Sequence, residues 1–311
     1  MMAGRDQKRG KKGGLPPGKM TSPVYLQKIL QEKKLRPRRS LGQHFLIDEN
    51  ILHKIVDAAG LTGDDLVIDI GAGPGALSLL LAEQAAGVIA VEWDAGLAAV
   101  LKEQARLRKI DNLAVVTGDV RRLDLAQVSG AHWGAKVSGG EKTGPAVKIV
   151  ANLPYYLVTP LLFQLLQGQL PLKLLVLMVQ FEVAARIVAP PGGKDYGLLS
   201  ILCQFYTKPR LLFKVSRHVF YPAPRVGSAV VALEPLPAPA VEIQHQEAFW
   251  QIVRAAFQKR RKTILNALDG VGDHSKAAWK KKLLARGIAP RRRGETLTLG
   301  EFANLSEMFY N

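Results

Sequence analysis

The sequence predicts an α/β protein with a doubly wound, mostly parallel sheet, an antiparallel edge and a small helical domain at its C-terminal end. Three observations predict this fold class. Between residues 66 and 179, short apolar runs ending in glycine or an acid alternate with helical patterns. Residues 211–215 and 228–233 form two strand-like runs without a helix between them, which is typical of an antiparallel sheet edge. Beyond residue 239 only helical periodicity remains.

Each element is placed by its pattern of apolar residues and by its end signals. Near the start, helices are predicted at residues 23–34 and 51–59, the second closing at Gly60. Strands are predicted at residues 66–70, 88–91, 113–116, 147–151 and 172–179, with helices at 77–86, 97–107 and 160–166. Residues 129–145 are rich in Gly and Lys and predict a mobile loop insertion. The C-terminal helices are predicted at residues 247–267, 274–286 and 299–310.

The chain divides into three parts by composition. Residues 1–39 are polar, basic and rich in glycine, which predicts a disordered extension outside the one short helix. Residues 40–235 carry the sheet pattern, and residues 240–311 form the helical domain after the stiff linker at 236–239. A transit peptide is a second interpretation of the N-terminal part, but glycine and proline are too frequent there for a good amphipathic helix.

Composition excludes several classes of protein. The 311 residues are 48% hydrophobic, enough for a sizeable core. No apolar run approaches the roughly 20 residues that span a bilayer, and the N-terminus lacks the apolar segment of a secretory signal. We therefore expect a cytoplasmic protein. The single cysteine, Cys203, rules out a disulfide framework and a cysteine metal cluster, and its apolar neighbours predict a buried thiol.

Charge is the most informative bulk property. The net charge of +17 predicts a polyanionic partner, either nucleic acid or an anionic membrane surface. Residues 1–39 carry twelve Lys or Arg residues against Asp6 and Glu32. The rest of the excess is concentrated at residues 259–262, 280–282 and 291–293. Any one of these runs is equally well interpreted as a solvated helix face.

A nucleoside cofactor site is predicted at the ends of the first three strands. Gly71-x-Gly73-x-x-Ala76 follows the first strand, where backbone amides can approach a ligand. Glu92 ends the second strand, where a carboxylate can accept from both ribose hydroxyls; a solvated surface acid is the alternative. Asp119 follows the third strand, within reach of an adenine amine.

One further acid helps to choose the cofactor. Asp69 lies inside an apolar strand, where an unpaired carboxylate is unfavourable, so a cation such as a methionine ammonium, or the loop amides, should be its partner. Together the three acids favour S-adenosylmethionine over NAD, which needs donors for a second nucleotide.

An acceptor site is predicted where Asn152-Leu153-Pro154-Tyr155 follows the fourth strand. An exocyclic base amine is a poor nucleophile because its lone pair is conjugated with the ring. If the Asn152 side-chain oxygen and the Leu153 carbonyl each accept one amine hydrogen, the lone pair is aimed at the methyl group. Pro154 stiffens the turn, and Tyr155 offers an aromatic face to an extruded base. The alternative is an ordinary strand-ending turn with Tyr155 in the core.

These residues resemble the ribosomal RNA adenine N6-dimethyltransferases from Leu41 to Leu305. The resemblance is carried in order by residues 42–46 (GQHFL), 69–75 (DIGAGPG), 91–94 (VEWD), 118–120 (GDV), 152–156 (NLPYY), 180–187 (QFEVAARI), 196–200 (YGLLS) and 220–231 (FYPAPRVGSAVV). Residues 255–263 (AAFQKRRKT), 287–290 (GIAP) and 292–295 (RRGE) look most like the small-subunit branch of the family.

The resemblance implies a class I S-adenosylmethionine-dependent fold and a set of site residues. The cofactor-binding residues are then His44, Leu46, Asp69, Gly71, Gly73, Glu92, Asp119, Val120 and Asn152. The catalytic residues are Asn152, Leu153, Pro154 and Tyr155, and the RNA-binding residues are Lys259, Arg260, Arg261, Lys262 and Arg225.

Three positions depart from the family pattern. His44 stands where many members have Asn; it can still donate to the cofactor carboxylate, subject to its tautomer. Asp69 is commonly Glu, which shortens its reach, and Gly227 replaces a frequent Asp.

The resemblance implies methylation, twice each, of two adjacent adenosines in the terminal hairpin of small-subunit ribosomal RNA. The expected substrate is a nearly mature ribosomal subunit, with no membrane and no obligate protein partner. Two alternatives remain at this point. One is a large-subunit methyltransferase of the antibiotic-resistance type, and the other is a non-catalytic assembly or nucleic-acid-binding factor.

Overall fold

The computed structural model describes residues 18–38, 42–134 and 146–310, and its centre is a seven-stranded sheet. The strand order is β4-β3-β2-β5-β6-β9-β7. The first five strands in this order are parallel, whereas β9 is antiparallel to both β6 and β7. The strands are β1 (Phe45–Leu46), β2 (Leu66–Ile70), β3 (Gly87–Glu92), β4 (Leu113–Thr117), β5 (Val147–Asn152), β6 (Leu172–Gln180), β7 (Thr207–Val215), β8 (Phe220–Tyr221) and β9 (Ser228–Pro235). The predicted doubly wound sheet with an antiparallel edge is confirmed.

Helices flank this sheet and continue beyond it. They are α1 (Pro23–Glu32), α2 (Glu49–Ala59), α3 (Ala76–Ala82), α4 (Ala95–Leu107), α5 (Leu125–Trp133), α6 (Val158–Gln167), α7 (Phe181–Val188), α8 (Leu198–Tyr206), α9 (Gln246–Gln258), α10 (Ile264–Leu268), α11 (Lys276–Ala285) and α12 (Leu299–Ser306). Within the described ranges, none is long and apolar enough to cross a membrane.

Two helical predictions need correction. The helix predicted at residues 247–267 is two helices, because Thr263 starts α10 by accepting a hydrogen bond from the Asn266 amide. The loop predicted at residues 129–145 begins inside α5, which continues to Trp133; residues 135–145 lie outside the described part of the chain. Helices α7 and α8 were not predicted.

The short helix predicted at residues 23–34 of the N-terminal extension is confirmed as α1. Ser22 caps α1, and the apolar face of this helix buries Leu26, Ile29 and Leu30. They pack in one cluster with apolar residues of α4, among them Leu101. This burial outweighs the polar composition of the segment. Residues 1–17 and 39 lie outside the described ranges.

The C-terminal helices pack against α8 through aromatic rings. The ring centroid of Phe205 lies 5.1 Å from that of Phe249 and 5.6 Å from that of Trp250. Cys203, on the same helix, is buried, as predicted. The division into two domains at residues 235–240 stays a prediction; β9 ends at Pro235 and α9 begins at Gln246.

A buried ion pair fastens α2 to the sheet. Lys148 in β5 is 4% exposed, and its ammonium donates to the carbonyls of Ala59 and Gly60 and to Asp65 Oδ2 at 2.8 Å. The more exposed Lys173 donates to Asp65 Oδ1 at 3.0 Å. Although burial of Asp65 opposes ionisation, hydrogen bonds from these two ammonium groups hold its pKa well below the usual range.

We expect Lys148→Met to destabilise the fold by about 3 kcal/mol, because it leaves the Asp65 carboxylate and two carbonyls buried with fewer partners. The matched variant Lys173→Met removes an exposed partner of the same carboxylate and should change stability by less than about 1 kcal/mol. Urea unfolding measures both. Because the pKa of Asp65 is lowered by folding, the difference should be complete above its unfolded pKa of about 3.9 and shrink as the pH falls below it. Equal losses in the two variants at neutral pH would contradict this assignment.

Candidate functional site

A cavity of about 450 Å³ lies at the carboxyl ends of β2, β3 and β5, where the order of parallel strands reverses direction. The structure brings all the predicted cofactor and acceptor residues together there. The cavity is lined by His44, Leu46, Asp69, Gly71, Gly73, Glu92, Asp119, Val120, Asn152, Leu153, Pro154 and Tyr155 among others. Their individual roles stay predictions, but their placement in one cavity is what those roles require.

The glycine loop and the acceptor motif pack directly against each other. Gly71 has φ +76°, and a Cβ atom there would lie 2.9 Å from Pro154 Cδ. Gly75 has φ +99°, and a Cβ atom there would lie 2.1 Å from Leu101 Cδ1. Larger residues at either position would therefore be strained and would push the loop away from its neighbours. Glycine here sets the distance between the cofactor wall and the acceptor wall.

Glu92 is held rigidly at the edge of the cavity. It is 7% exposed, and burial raises the pKa of its carboxyl. Its Oε2 accepts from the Gly73 amide at 2.7 Å, and its Oε1 accepts from the Asp94 amide at 2.8 Å. Each oxygen keeps a further lone pair, so a pair of hydroxyl donors in the cavity can still bind this carboxylate.

Asp69 has a partner that the sequence did not predict. Its Oδ2 accepts from the Ser78 hydroxyl at 2.6 Å. A ligand ammonium as a further partner of this carboxylate stays a prediction. The residue is 1% exposed, and its burial raises the pKa of Asp69 to about 7, with a smaller contribution from the charge of Glu92. Because Asp69 also lines the cavity, an ammonium group bound there would favour its ionised form.

We therefore expect cofactor affinity to depend on pH. Below pH 7 Asp69 is protonated in the free protein, so binding an ammonium must release that proton. Affinity should therefore fall as the pH is lowered, by up to about tenfold per pH unit. Above pH 7 affinity should level off. Calorimetric titration with S-adenosylhomocysteine between pH 5.5 and 7.5 measures this dependence. In Asp69→Asn the affinity should no longer rise with pH, and the affinity at pH 7.5 should be lower; a rise as large as in the wild type would assign the titration to another group.

Asp119 is paired with a neighbour on its own turn. Arg121 Nε lies 3.0 Å from Asp119 Oδ1, and Arg121 Nη2 lies 2.6 Å from Oδ2. This hydrogen bonding lowers the pKa of Asp119. The Arg121 guanidinium also lies 5.9 Å from the ring centre of Tyr156. An adenine amine that binds Asp119 must therefore share the carboxylate with Arg121.

The geometry of His44 changes its predicted role. The ring Nδ1 lies 2.6 Å from the Pro222 carbonyl oxygen, which can only accept, so Nδ1 carries a proton. In the neutral ring Nε2 is then an acceptor. The predicted donation from Nε2 to a cofactor carboxylate thus needs a second proton on the ring, whereas an Asn side chain would donate without one.

Asn152 is oriented by a backbone carbonyl. Its Nδ2 donates to the His44 carbonyl at 3.3 Å, and this directs the amide: a carbonyl accepts only from the NH₂ end. The side-chain oxygen is therefore the end that remains for an acceptor amine. The next amide, of Leu153, donates to the Met178 carbonyl at 3.1 Å and anchors the motif to β6.

Tyr155 is tied at both its hydroxyl and its ring. Its hydroxyl lies 3.2 Å from Ser228 Oγ, and its ring stacks with His44 at a centroid separation of 6.0 Å. Burial raises the pKa of the phenol, which stays neutral. The ring is part of the cavity wall rather than of the core, which argues against the alternative of a simple core tyrosine.

The predicted RNA-binding residues lie away from this cavity. Lys259, Arg261 and Lys262 are exposed in the turn between α9 and α10, and Arg225 is exposed before β9. Arg260 donates to the carbonyls of Lys194 and Tyr196, so it also fastens this turn to the segment before α8. Sequence reasoning did not predict that structural role. Contact with RNA stays a prediction for all five.

Several lining residues were not named as site residues from sequence. Phe220 in β8 is quoted in the resemblance without a role, and it lines the cavity beside β1. Trp93, next to Glu92, lines it while half exposed. Met20, Leu35 and Arg38 reach it from the segment around α1. Trp93 directly follows an acid at a strand end, so the sequence could have predicted it as a lining residue. The lining by residues 20–38 could not be predicted in this way, because it depends on tertiary packing.

The residues present fit S-adenosylmethionine. A cavity of this size suits a ligand of nucleoside dimensions. In the part of the chain that the structure describes, no basic side chain pairs with Asp69 or Glu92, whose protein donors are a hydroxyl and backbone amides. Ribose hydroxyls would supply the remaining hydrogen-bond donors for Glu92, and an ammonium group would supply one for Asp69. The aromatic Trp93 and the apolar Val120 suit the flat face of a purine.

Comparison with known proteins gives a consistent result. A family model described as ribosomal RNA adenine dimethylase matches residues 34–310. A relative named ribosomal RNA small subunit methyltransferase A, from Pelotomaculum thermopropionicum, is 47% identical over 293 residues, which are 93% of this chain and 97% of the relative.

Two solved structures share the fold. A dimethyladenosine transferase from Plasmodium falciparum matches with a TM-score of 0.66 at 24% identity, covering 84% of this chain and 96% of the other. The 23S rRNA methyltransferase ErmE matches with a TM-score of 0.60 at 22% identity, covering 86% and 100%. The extent of the family match and the identity to the bacterial relative show that the chain belongs to the ribosomal RNA adenine dimethylase family.

Proposed function

We propose that this protein transfers methyl groups from S-adenosylmethionine to the N6 amines of two adjacent adenosines in the 3′-terminal hairpin of small-subunit ribosomal RNA. Each adenosine is methylated twice. The observation that carries this proposal is the contact between the glycine loop at Gly71 and the acceptor motif at Pro154, which gives a cofactor and a base amine one shared cavity. The family membership and the name of the 47% identical relative support the same reaction.

The side chains supply position rather than acid–base chemistry. When bound, S-adenosylmethionine supplies an electrophilic methyl group. The Asn152 side-chain oxygen, fixed by the His44 carbonyl, accepts one amine hydrogen, and the Leu153 carbonyl accepts the other. The nitrogen lone pair then points along the line of transfer, and Tyr155 supports the base ring. No general base is needed beforehand, because the amine becomes acidic only as the new bond forms, and its proton then leaves to solvent.

The partner that fits the charge distribution is ribosomal RNA within a nearly mature small subunit, in the cytoplasm. The exposed cations at Lys259, Arg261, Lys262 and Arg225 contact phosphates and set orientation. Binding should therefore weaken steeply as salt concentration rises. No membrane or obligate protein partner is part of this proposal.

Two other functions compete with it. The large-subunit branch shares the fold, since ErmE matches almost as well as the dimethyladenosine transferase, so the fold does not separate them. The C-terminal motifs and the 47% identity to a small-subunit enzyme favour the small-subunit branch. A non-catalytic assembly factor needs no cofactor site, whereas Glu92 and Asn152 are both held in position here.

The deciding experiment is transfer of labelled methyl from S-adenosylmethionine to small subunits that lack the modification. Nuclease digestion and mass spectrometry of the RNA identify the product. Dimethyladenosine at two adjacent positions is the expected result. Transfer to large-subunit RNA alone would assign the protein to the other branch, and tight binding to small subunits without transfer would support the assembly factor.

A further inference from the structure

An exposed aromatic side chain lies just outside the cavity, at the end of the strand beside the acceptor motif. In the β5–β6 pairing Met178 lies opposite Asn152. Three residues later Phe181 begins α7 and is 39% exposed. It is absent from the cavity lining, so a base held at Asn152 is not its partner.

Short contacts fix Phe181 relative to Tyr155. The Phe181 amide donates to the Gly227 carbonyl at 3.0 Å. The preceding residue, Gln180, pairs with Ser228 in the β6–β9 register. Ser228 Oγ in turn lies 3.2 Å from the Tyr155 hydroxyl. One strand end therefore holds both the aromatic wall of the acceptor cavity and the exposed ring outside it.

A cation accompanies the exposed ring. The ammonium of Lys214, in β7, lies 4.6 Å from the ring centre of Phe181. Gly227, whose carbonyl binds the Phe181 amide, has no side chain, so no acid at this position competes for Lys214. The nearest acid along the chain, Glu182, is paired with Arg186 on its own helix. An exposed ring with a cation is the combination that binds a nucleobase and its phosphate.

We propose that Phe181 and Lys214 form a nucleotide subsite that binds the residue next to the target adenosine. The neighbouring base stacks on Phe181, and Lys214 contacts its phosphate. The inference rests on the proposed function, because two adjacent adenosines must enter one cavity in turn. While one is inside, the other is only one nucleotide away from it, at the rim. Stacking tolerates any base, so the subsite positions the strand without reading its sequence.

The binding test uses the full chain with S-adenosylhomocysteine and an RNA hairpin that carries 2-aminopurine beside the target adenosine. Stacking on Phe181 should quench its fluorescence. Phe181→Leu should abolish that quenching, Phe181→Tyr should retain it, and Lys214→Met should retain it while reducing the salt slope of binding by about one. Leu211→Ala, an exposed apolar position on the same strand as Lys214, is the matched control and should behave as wild type.

The kinetic test compares methyl transfer to RNA. Phe181→Leu should lower kcat/KM for RNA about tenfold, with unchanged affinity for S-adenosylhomocysteine and with activity restored in Phe181→Tyr. The unchanged cofactor affinity shows that the variant is folded. Wild-type quenching and wild-type kcat/KM in Phe181→Leu would overturn the subsite. If the wild-type protein methylates no ribosomal RNA, the proposed function fails. The subsite is still tested by the fluorescence: loss of quenching in Phe181→Leu supports it, and unchanged quenching contradicts it.

Discussion

Asn152→Ala is expected to lower the rate of methyl transfer by about 10²- to 10³-fold while leaving cofactor affinity within a fewfold of wild type. A preorganised acceptor for one reacting group typically contributes this much to catalysis. The Asn152 side-chain oxygen is such a group, because its amide nitrogen is already bound to the His44 carbonyl at 3.3 Å. Alanine removes both the acceptor and the tie between the motif and the β1 segment.

Asn152→Asp separates these two effects. The carboxylate still offers oxygens to an amine, but it cannot donate to the His44 carbonyl and would face it as a second acceptor. We expect a loss of rate close to that of alanine if orientation matters, and a small loss if an acceptor alone suffices. Single-turnover transfer to small subunits, with saturating cofactor, measures the chemical step for both variants.

The matched control for this prediction is Asn112→Ala. Asn112 also uses its Nδ2 to bind backbone carbonyls, those of Ala82 and Ala85, but it lies before β4 at the opposite ends of the parallel strands. It should lower stability without changing the single-turnover rate. A rate in Asn152→Ala within about threefold of wild type would remove this side chain from the catalytic assignment.

The sheet and the site were predictable because both leave local signals. The apolar runs end at Ile70, Glu92 and Asn152, and these ends locate the carboxyl ends of the strands. The glycines after β2 have positive φ angles, so glycine in the sequence marks the turn there. Helix α8 was missed for a physical reason: its residues from Leu199 to Cys203 are all buried, so no polar face reveals a helical period.

The partners inside the site depend on contacts that sequence spacing does not show. Ser78 reaches Asp69 from nine residues away, after the chain has turned through the glycine loop. His44 and Pro222 are 178 residues apart in the sequence, and the pairing of β1 with β8 brings them together. The docking of α1 beside the cavity likewise depends on apolar residues of α4 that complement its face. Local patterns therefore identified which residues form the site, and tertiary contacts determine their protonation and orientation.

Glu92→Ala is expected to weaken cofactor binding about 100-fold and to abolish methylation at ordinary cofactor concentrations. Each hydrogen bond from a ribose hydroxyl to a charged acceptor contributes about 1.5–3 kcal/mol, so losing two at the lower end of this range costs about 3 kcal/mol, a little over 100-fold. The Gly73 amide also loses its acceptor at 2.7 Å, which loosens the glycine loop. Glu92→Gln keeps one acceptor oxygen and should retain part of the affinity. Calorimetry with S-adenosylhomocysteine measures all three proteins.

The same variant separates catalysis from RNA binding. Glu92 lies in the cavity wall, whereas the exposed cations at Lys259, Arg261 and Lys262 lie in the turn after α9, so binding to small subunits should be unchanged in Glu92→Ala. Glu234→Ala, an exposed acid on β9, controls for the change in net charge. If Glu92→Ala lost subunit binding as well, cofactor and RNA sites would be coupled rather than separable. A protein that kept binding subunits without methylating them would then isolate whatever part the bound enzyme has in subunit assembly.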